Sequence, residues 1–230
     1  INEVNLVSNI QHMKNLQSAY QLDTKGFSLF QIDDGYQLHW GDWLDIKPSF
    51  NSSRSLSDIA NDIRKNGLVG GIWLAPFACD KNSNLYKDHP EWILYQASKI
   101  SYGIFTKVAR VLGLDRLPCN SANCGKFFYG IDLTLPSVRK HLHHILTTVT
   151  QVWGFRYLKL DFLYACALKN ADFFDRSKSR AQVFSMGMDV VREGVKSKDG
   201  EDGCFLLGCG APLGGVIGCV HANRISAGTT

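Results

Sequence analysis

The chain has 230 residues, 45% of them hydrophobic and 20% charged, which is enough apolar material for a globular core. Its net charge of +4 is small, and no basic run interleaved with aromatic residues indicates a nucleic-acid partner. No apolar stretch reaches the roughly 18 residues that predict a membrane span. Seven scattered cysteines form no even disulfide framework, which favours a cytoplasmic location; the helical pattern already running near Ile1 leaves room for an upstream segment.

Helical and strand patterns alternate along the chain. Apolar residues recur at helical spacing in four segments, over 4–19, 55–63, 136–153 and 180–191. Five strand patterns occur between and after them, over 27–32, 68–74, 157–162, 204–207 and 219–222. Alternation of this kind predicts a parallel β-sheet covered by helices, which is the α/β class.

A long insertion, at about 78–131, separates the second helix–strand unit from the third. It contains His89-Pro90-Glu91-Trp92 and a stretch rich in glycine, asparagine and cysteine, without a clear period. Segments of this length between core elements are more often functional than idle. Since the insertion follows the carboxyl end of a strand, we expect it on the face where α/β proteins place their chemistry.

No metal ion or other cofactor is expected. Cys119 and Cys124 have no second pair at zinc-ligand spacing, so we interpret them as ordinary thiols. The histidines of the third helix are assigned to its solvent-exposed face; they are His141, His143 and His144. The one histidine that could adjoin carboxylates at a strand end is His221.

The polar residues at strand ends decide between two parallel architectures. No Gly-x-Gly-x-x-Gly motif or phosphate-binding loop follows a strand, which disfavours a nucleotide-binding fold. Polar residues instead gather at the carboxyl ends of different strands, as in a (β/α)8 TIM barrel. They are Asp33, Asp34, Trp73, Lys159, Asp161, Cys209 and Arg224. About five of the eight barrel strands are countable, so residues 1–230 are predicted to form one incomplete catalytic barrel domain, without the first strand and the last two.

Lys159 and Asp161 lie on one face of the strand pattern at 157–162. For an isolated Lys-x-Asp the simpler interpretation is a buried ion pair with a structural role. A functional role needs partners from other strands, and Asp33 with Asp34 supplies them. Two ionised carboxylates accept several hydrogen bonds from one ligand, although Asp34-Gly35 alone is also ordinary turn chemistry.

Aromatic residues near these carboxylates favour a sugar as the ligand. Trp40 and Trp43 follow the aspartate pair closely, and an aromatic face packs well against the C–H surface of a sugar. Trp73, on a strand expected to be buried, is interpreted as a core residue when it is considered alone.

Several motifs, in order along the chain, resemble one enzyme family. They are Phe30-Gln31-Ile32-Asp33-Asp34-Gly35-Tyr36, Gly41-Asp42-Trp43, Gly71-Ile72-Trp73-Leu74-Ala75-Pro76-Phe77, His89-Pro90-Glu91-Trp92, Tyr129-Gly130-Ile131-Asp132, Leu158-Lys159-Leu160-Asp161-Phe162 and Asn223-Arg224-Ile225-Ser226. Together they resemble the melibiase-type α-galactosidases of glycoside hydrolase clan D, closest to family thirty-six. The resemblance covers about 31–227 and implies a piece of the catalytic barrel.

The resemblance also implies an activity. Members of this family hydrolyse terminal non-reducing α-D-galactose residues from α-galactosides, of the melibiose and raffinose type, by a retaining double displacement. An α-galactoside is therefore the expected partner, without cofactor, nucleic acid or membrane, and a full-length protein could form a homo-oligomer.

Roles follow from the resemblance position by position. Asp161 is the expected nucleophile, and Lys159 beside it favours its charged form. The remaining residues are expected to bind substrate. Asp33, Asp34 and Lys159 hold galactose hydroxyls, Trp73 lines the pocket, and Cys209, Gly210 and Arg224 lie near the second hydroxyl.

The chain departs from this family at one position. The family places its acid/base aspartate four residues after the arginine, where this chain has Gly228. Because a general acid contributes about 10²–10⁴-fold, hydrolysis is expected to be impaired. A truncated product is the favoured explanation, beside an altered sequence or a galactoside-binding remnant. A barrel aldolase with Lys159 as Schiff base is the remaining alternative.

Overall fold

The computed structural model describes residues 3–20, 28–50, 54–96, 108, 116–120, 127–197 and 203–225. The strands, in chain order, are β1 (Leu29–Ile32), β2 (Val69–Leu74), β3 (Ala78–Cys79), β4 (Tyr95–Gln96), β5 (Pro118–Asn120), β6 (Phe127–Gly130), β7 (Tyr157–Leu160), β8 (Ala171–Asp172), β9 (Phe205–Cys209) and β10 (Ala222–Arg224). The helices are α1 (Glu3–Ala19), α2 (Leu56–Lys65), α3 (Asn84–Asp88), α4 (Pro136–Thr147), α5 (Arg180–Val195) and α6 (Leu213–Val216).

The central sheet has five strands in the order β1-β2-β7-β9-β10, and every neighbouring pair is parallel. This arrangement confirms the predicted α/β fold with five parallel strands. The sheet is an incomplete barrel, because its described strands do not close on themselves.

Several strand boundaries differ from the sequence-based prediction, and two of the differences have a clear cause in the backbone. The third central strand ends at Leu160 and not at Phe162, because Phe162 adopts a left-handed backbone conformation with φ of 50°. The last strand begins at Ala222 and not near Cys219. A turn at Gly218, with φ of 73°, occupies the preceding residues.

The predicted helices form, with local signals that fix their ends. The side chain of Ser55 accepts a hydrogen bond from the Asp58 N–H, and the Asp58 carboxylate accepts one from the Ser55 N–H, so a capping box starts α2. Helix α4 begins with a proline and continues into a wider turn over Thr148–Val152, before Gly154 ends it with φ of 88°. Helices α4 and α5 pack together, and α2 covers β2.

The insertion after β2 folds onto the central domain. Strands β3, β6 and β5 form a small antiparallel sheet, and β4 pairs with β8. Asp42 accepts hydrogen bonds from the backbone N–H groups of Asn84 and Leu85, which fixes the start of α3. The Gly41-Asp42-Trp43 motif therefore supports the architecture.

Among the described cysteines, Cys79, Cys166, Cys204, Cys209 and Cys219 are free thiols, and Cys119 is buried. Cys124 lies outside the described residues. Burial raises the pKa of the Cys204 thiol to about 12, so this side chain packs as a neutral apolar group. Among the described residues, no group of three or more metal-ligating side chains is placed to hold an ion. No described helix has both the length and the apolar character needed to cross a membrane.

Gly130 provides a test of how the insertion is seated. It ends β6 so close to the turn at Leu163–Ala167 that a Cβ on Gly130 would overlap the carbonyl oxygen of Ala165. We expect Gly130→Ala to lower the free energy of unfolding by about 3 kcal/mol, because buried backbone must shift. Chemical denaturation measures this effect. Gly214→Ala is the matched control, since a Cβ there meets nothing within 4 Å; equal stability of both variants would contradict the packing.

Candidate active site

The register of the parallel sheet places the polar side chains of its strands in rows. Trp73 of β2 lies directly beside Lys159 of β7, and Arg224 of β10 lies directly beside Cys209 of β9. Lys159 is in turn in register with Leu207, two residues before Cys209. Because side chains alternate along a strand, these residues share one face of the sheet. The carboxyl ends of the strands thus build one polar surface.

Asp33 and Lys159 connect the two sides of β2. The Lys159 ammonium lies 2.8 Å from Asp33 Oδ2, in an ion pair between the end of β1 and the end of β7. Gln31 Nε2 donates to the same oxygen at 2.7 Å, and the backbone N–H of Asp34 donates to Oδ1 at 2.8 Å. The described residues therefore engage both oxygens of Asp33. The sequence alone suggested an ion pair between Lys159 and Asp161. That interpretation is wrong, because the ion-pair partner of Lys159 is Asp33.

Asp161 is buried immediately after β7 and is held by three donors. The Trp73 indole N–H donates to Oδ2 at 3.2 Å. The Phe162 backbone N–H donates to Oδ1 at 2.9 Å, and the Arg224 guanidinium lies 3.6 Å from that oxygen. The left-handed conformation of Phe162 turns the chain just after the carboxylate, at a cost typical of functional sites. These contacts compensate a buried carboxylate without the neighbouring lysine.

Cys209 lies near both ion pairs. It is in register with Arg224, and Leu207, two residues before it, is in register with Lys159. Burial raises the pKa of its thiol, and the charge of Asp161 raises it further, with a smaller contribution from Asp33. Arg224 and Lys159 act in the opposite direction. Because Lys159 is paired with Asp33 and Arg224 with Asp161, the two aspartates belong to one site.

Asp34 is fixed by an aromatic residue and an amide. Trp40 Nε1 donates to Asp34 Oδ1 at 3.1 Å, and Gln37 Nε2 donates to the same oxygen at 2.6 Å. The centroids of the Trp40 and Trp73 rings lie 5.3 Å apart. The indole that donates to Asp34 therefore packs against the indole that donates to Asp161. Trp43 is buried edge-on against Trp73, so the expectation of an open sugar-stacking face on Trp43 is wrong; the core absorbs its apolar surface.

Gly210 follows β9 in a conformation that favours glycine, with φ of 58°. Its carbonyl accepts a hydrogen bond from the Tyr164 N–H at 3.1 Å, and the Tyr164 ring would lie 3.2 Å from an added Cβ. Gly210 therefore lets the turn after Asp161 approach the end of β9. Gly228 lies outside the described residues.

Some residues of this network were not predicted from the sequence. Gln31, Gln37 and Trp40 act as donors to the aspartate pair. The signal for Gln31 was its position two residues before Asp33, on the same strand face. Gln37 and Trp40 lie in a loop, where no periodic pattern predicts which way a side chain points.

The histidine assignments are partly wrong. His143 and His144 are exposed as predicted, but His141 is half-buried with its ring 5.2 Å from Trp92. Burial lowers the pKa of His141, because the insertion covers this part of α4. His221 accepts a hydrogen bond from the Leu206 N–H and stacks on Phe205, near the start of β9 and away from the site.

Carboxylates, a lysine and an arginine gathered at the carboxyl ends of parallel strands are typical of a barrel glycoside hydrolase. The melibiase family model matches residues 8–198. The chain belongs to the melibiase family.

The related proteins that carry names are α-galactosidases. Alpha-galactosidase 2 of Pediococcus pentosaceus is 27% identical over 161 residues, covering 67% of this chain and 18% of that relative. An Escherichia coli α-galactosidase is 23% identical over 185 residues, covering 77% of this chain and 23% of the relative. The chain thus spans about a fifth of the length of these relatives.

Solved structures show the same relationship. TtGalA, an α-galactosidase of Thermus thermophilus solved in complex with stachyose, is 29% identical with a TM-score of 0.73 and covers 98% of this chain and 40% of that one. The same enzyme in complex with p-nitrophenyl α-D-galactopyranoside gives a TM-score of 0.72 and covers 38% of that chain.

The proximity of Asp161 to Cys209 is open to a direct chemical test. Replacing Asp161 with asparagine removes a charge that raises the thiol pKa, so more of Cys209 is thiolate at pH 8. Because Cys209 is fully buried, its titration is followed by NMR and not by alkylation. We expect Asp161→Asn to lower the pKa of Cys209, read from the Cβ chemical shift of labelled cysteine, with the half-buried Cys219 as internal reference.

The matched control for this experiment is Asp45→Asn, an exposed aspartate on the loop before α2. The pKa of Cys209 in this variant should equal that in the native chain. Equal pKa values of Cys209 in Asp161→Asn and Asp45→Asn would mean that Asp161 and Cys209 are not close.

Proposed function

We propose that this chain forms the galactose-binding and nucleophilic part of a retaining α-galactosidase site. The observation that carries the proposal is that the Asp33–Lys159 pair and the Asp161–Arg224 pair lie together at the carboxyl ends of the parallel strands. The similarity to TtGalA, solved with two α-galactosides, supports the choice of sugar.

Each side chain has a proposed role. Asp33, Asp34 and Lys159 bind hydroxyls of the galactose ring, because carboxylates accept and the ammonium donates. Trp73 lines the pocket and also orients Asp161 through its indole N–H. Cys209, Gly210 and Arg224 form the wall beside the second hydroxyl.

Asp161 is the proposed nucleophile. Its Oδ1 is occupied by the Phe162 N–H and faces Arg224, whereas among described groups only the Trp73 indole donates to Oδ2. Oδ2 is therefore the oxygen that bonds to the anomeric carbon as the bond to the leaving oxygen breaks. The leaving oxygen keeps that electron pair and needs a proton. Water then cleaves the galactosyl–Asp161 ester and regenerates the carboxylate.

This chain is impaired in the protonation of the leaving group. By resemblance the acid/base position is Gly228, which carries no acidic group. Natural α-galactosides have poor leaving groups and need this proton, whereas an activated leaving group departs as an anion. The proposal therefore separates formation of the covalent intermediate from hydrolysis of natural sugars.

A paired-substrate experiment tests this separation. An activated 2-fluoro-galactoside is expected to attach its galactosyl group covalently to Asp161, because the leaving group needs no acid and water attack is slow. Raffinose is expected to remain intact at ordinary enzyme concentrations. Peptide mass spectrometry locates the label, and chromatography follows raffinose.

Asp161→Asn is the control and should lose the label, with circular dichroism confirming that it folds. A label on another residue of the folded native chain would remove Asp161 from the nucleophile role. Useful turnover of raffinose would contradict the impairment assigned to Gly228.

A galactoside-binding remnant is the second candidate, favoured by the same Gly228. Calorimetric binding of galactose without labelling by the activated substrate would select it. The aldolase alternative is weaker, because the Lys159 ammonium is committed to Asp33 at 2.8 Å and is not presented as a free amine. The cytoplasmic location and any homo-oligomer remain predictions.

A further inference from the structure

The two oxygens of Asp34 differ in their environment. Oδ1 accepts from Gln37 Nε2 at 2.6 Å and from Trp40 Nε1 at 3.1 Å. Within the described part of the chain, no group donates to Oδ2. In Asp33, by contrast, the protein engages both oxygens. Oδ2 of Asp34 is thus the acceptor that the aspartate pair leaves for a ligand hydroxyl.

Gln37 determines which Asp34 oxygen is left open. Its side chain is almost fully buried, with a relative exposure of 2%, so it does not itself meet a ligand. Its Oε1 accepts from the Gly35 N–H at 3.2 Å, while its Nε2 faces the carboxylate. The orientation of this amide follows from chemistry, since an ionised carboxylate only accepts hydrogen bonds. The amide therefore forms hydrogen bonds with both residues of the Asp34–Gly35 turn.

The backbone around Gln37 is held on both sides. The Lys47 N–H donates to the Tyr36 carbonyl at 2.9 Å, and the Leu38 N–H donates to the Asp45 carbonyl at 2.7 Å. Gly35 has φ of 120°, a conformation that only glycine adopts without strain. The amide thus acts from a fixed position, and its hydrogen bond to Asp34 restricts that carboxylate to one orientation.

We propose that Gln37 is a positioning residue for galactoside binding, which aims Oδ2 of Asp34 at a ligand hydroxyl by holding Oδ1. This inference rests on the proposed galactoside function and assigns no ligand contact to Gln37. A buried amide on the loop after β1 thereby contributes to the affinity for the galactoside. Loss of the amide leaves Asp34 charged but free to rotate, so the Kd for the galactoside rises.

The test is a double-mutant cycle read by calorimetry with galactose. Gln37→Met keeps the length of the side chain and removes the donor, and we expect the Kd to rise roughly 10-fold, as for loss of a charge-assisted hydrogen bond. In the Asp34→Ala background, which removes the acceptor of Gln37, the same substitution should change the Kd less than about 2-fold, because Gln37 acts through Asp34. Gln11→Met, an exposed glutamine of α1, is the matched control.

A second variant covers the case in which Gln37→Met does not fold. Gln37→Glu keeps an acceptor for the Gly35 N–H but sets a carboxylate against Asp34. Relative to the native chain, its affinity should fall at pH 8 and recover towards pH 5, where a proton shared by the two carboxyls replaces the donor. A role in stability alone would give no such pH profile.

The outcomes separate this inference from the function on which it rests. An unchanged Kd in folded Gln37→Met, an equal loss in the Asp34→Ala background, or a flat pH profile in Gln37→Glu would overturn the role of Gln37 alone. Failure of both the folded native chain and Gln11→Met to bind galactose would overturn the galactoside function, and the inference with it.

Discussion

The ion pair between Lys159 and Asp33 is the interaction on which the candidate site depends. It crosses β2 and joins the ends of two strands that are not neighbours in the sheet. Because Lys159 is committed to Asp33, Asp161 needs other compensation and finds it in Arg224 and the Trp73 indole. Each of the two aspartates is therefore paired with a cation from a different strand, and both pairs lie at the carboxyl ends of the sheet.

The aromatic residues give this charged arrangement its rigidity. Trp40, Trp73 and Phe162 pack ring against ring, and Trp40 and Trp73 each donate a hydrogen bond to an aspartate. A buried indole is therefore both part of the core and part of the site. Side chains held in this way keep carboxylates oriented before a ligand arrives, which reduces the ordering cost of binding.

The sequence predicted the elements that repeat and the residues at strand ends. Alternating helix and strand patterns identified the five parallel strands, and position at a carboxyl end identified Asp161 and Arg224. Partner choice was harder, because Lys159 and Asp161 lie on one strand face yet bond to residues far away in sequence. The loop donor Gln37 followed no period, and the left-handed turn at Phe162 depends on the tertiary packing of the residues after it.

In the proposed function, the aspartates after β1 and the aspartate after β7 act on the same sugar. A crystal structure of the chain soaked with galactose tests it most directly. We expect the anomeric carbon about 3–3.5 Å from a carboxylate oxygen of Asp161, while another hydroxyl of the same ring lies within hydrogen-bond distance of Asp34. A sugar that contacts Asp161 without either Asp33 or Asp34, or that binds elsewhere on the protein, would contradict the account.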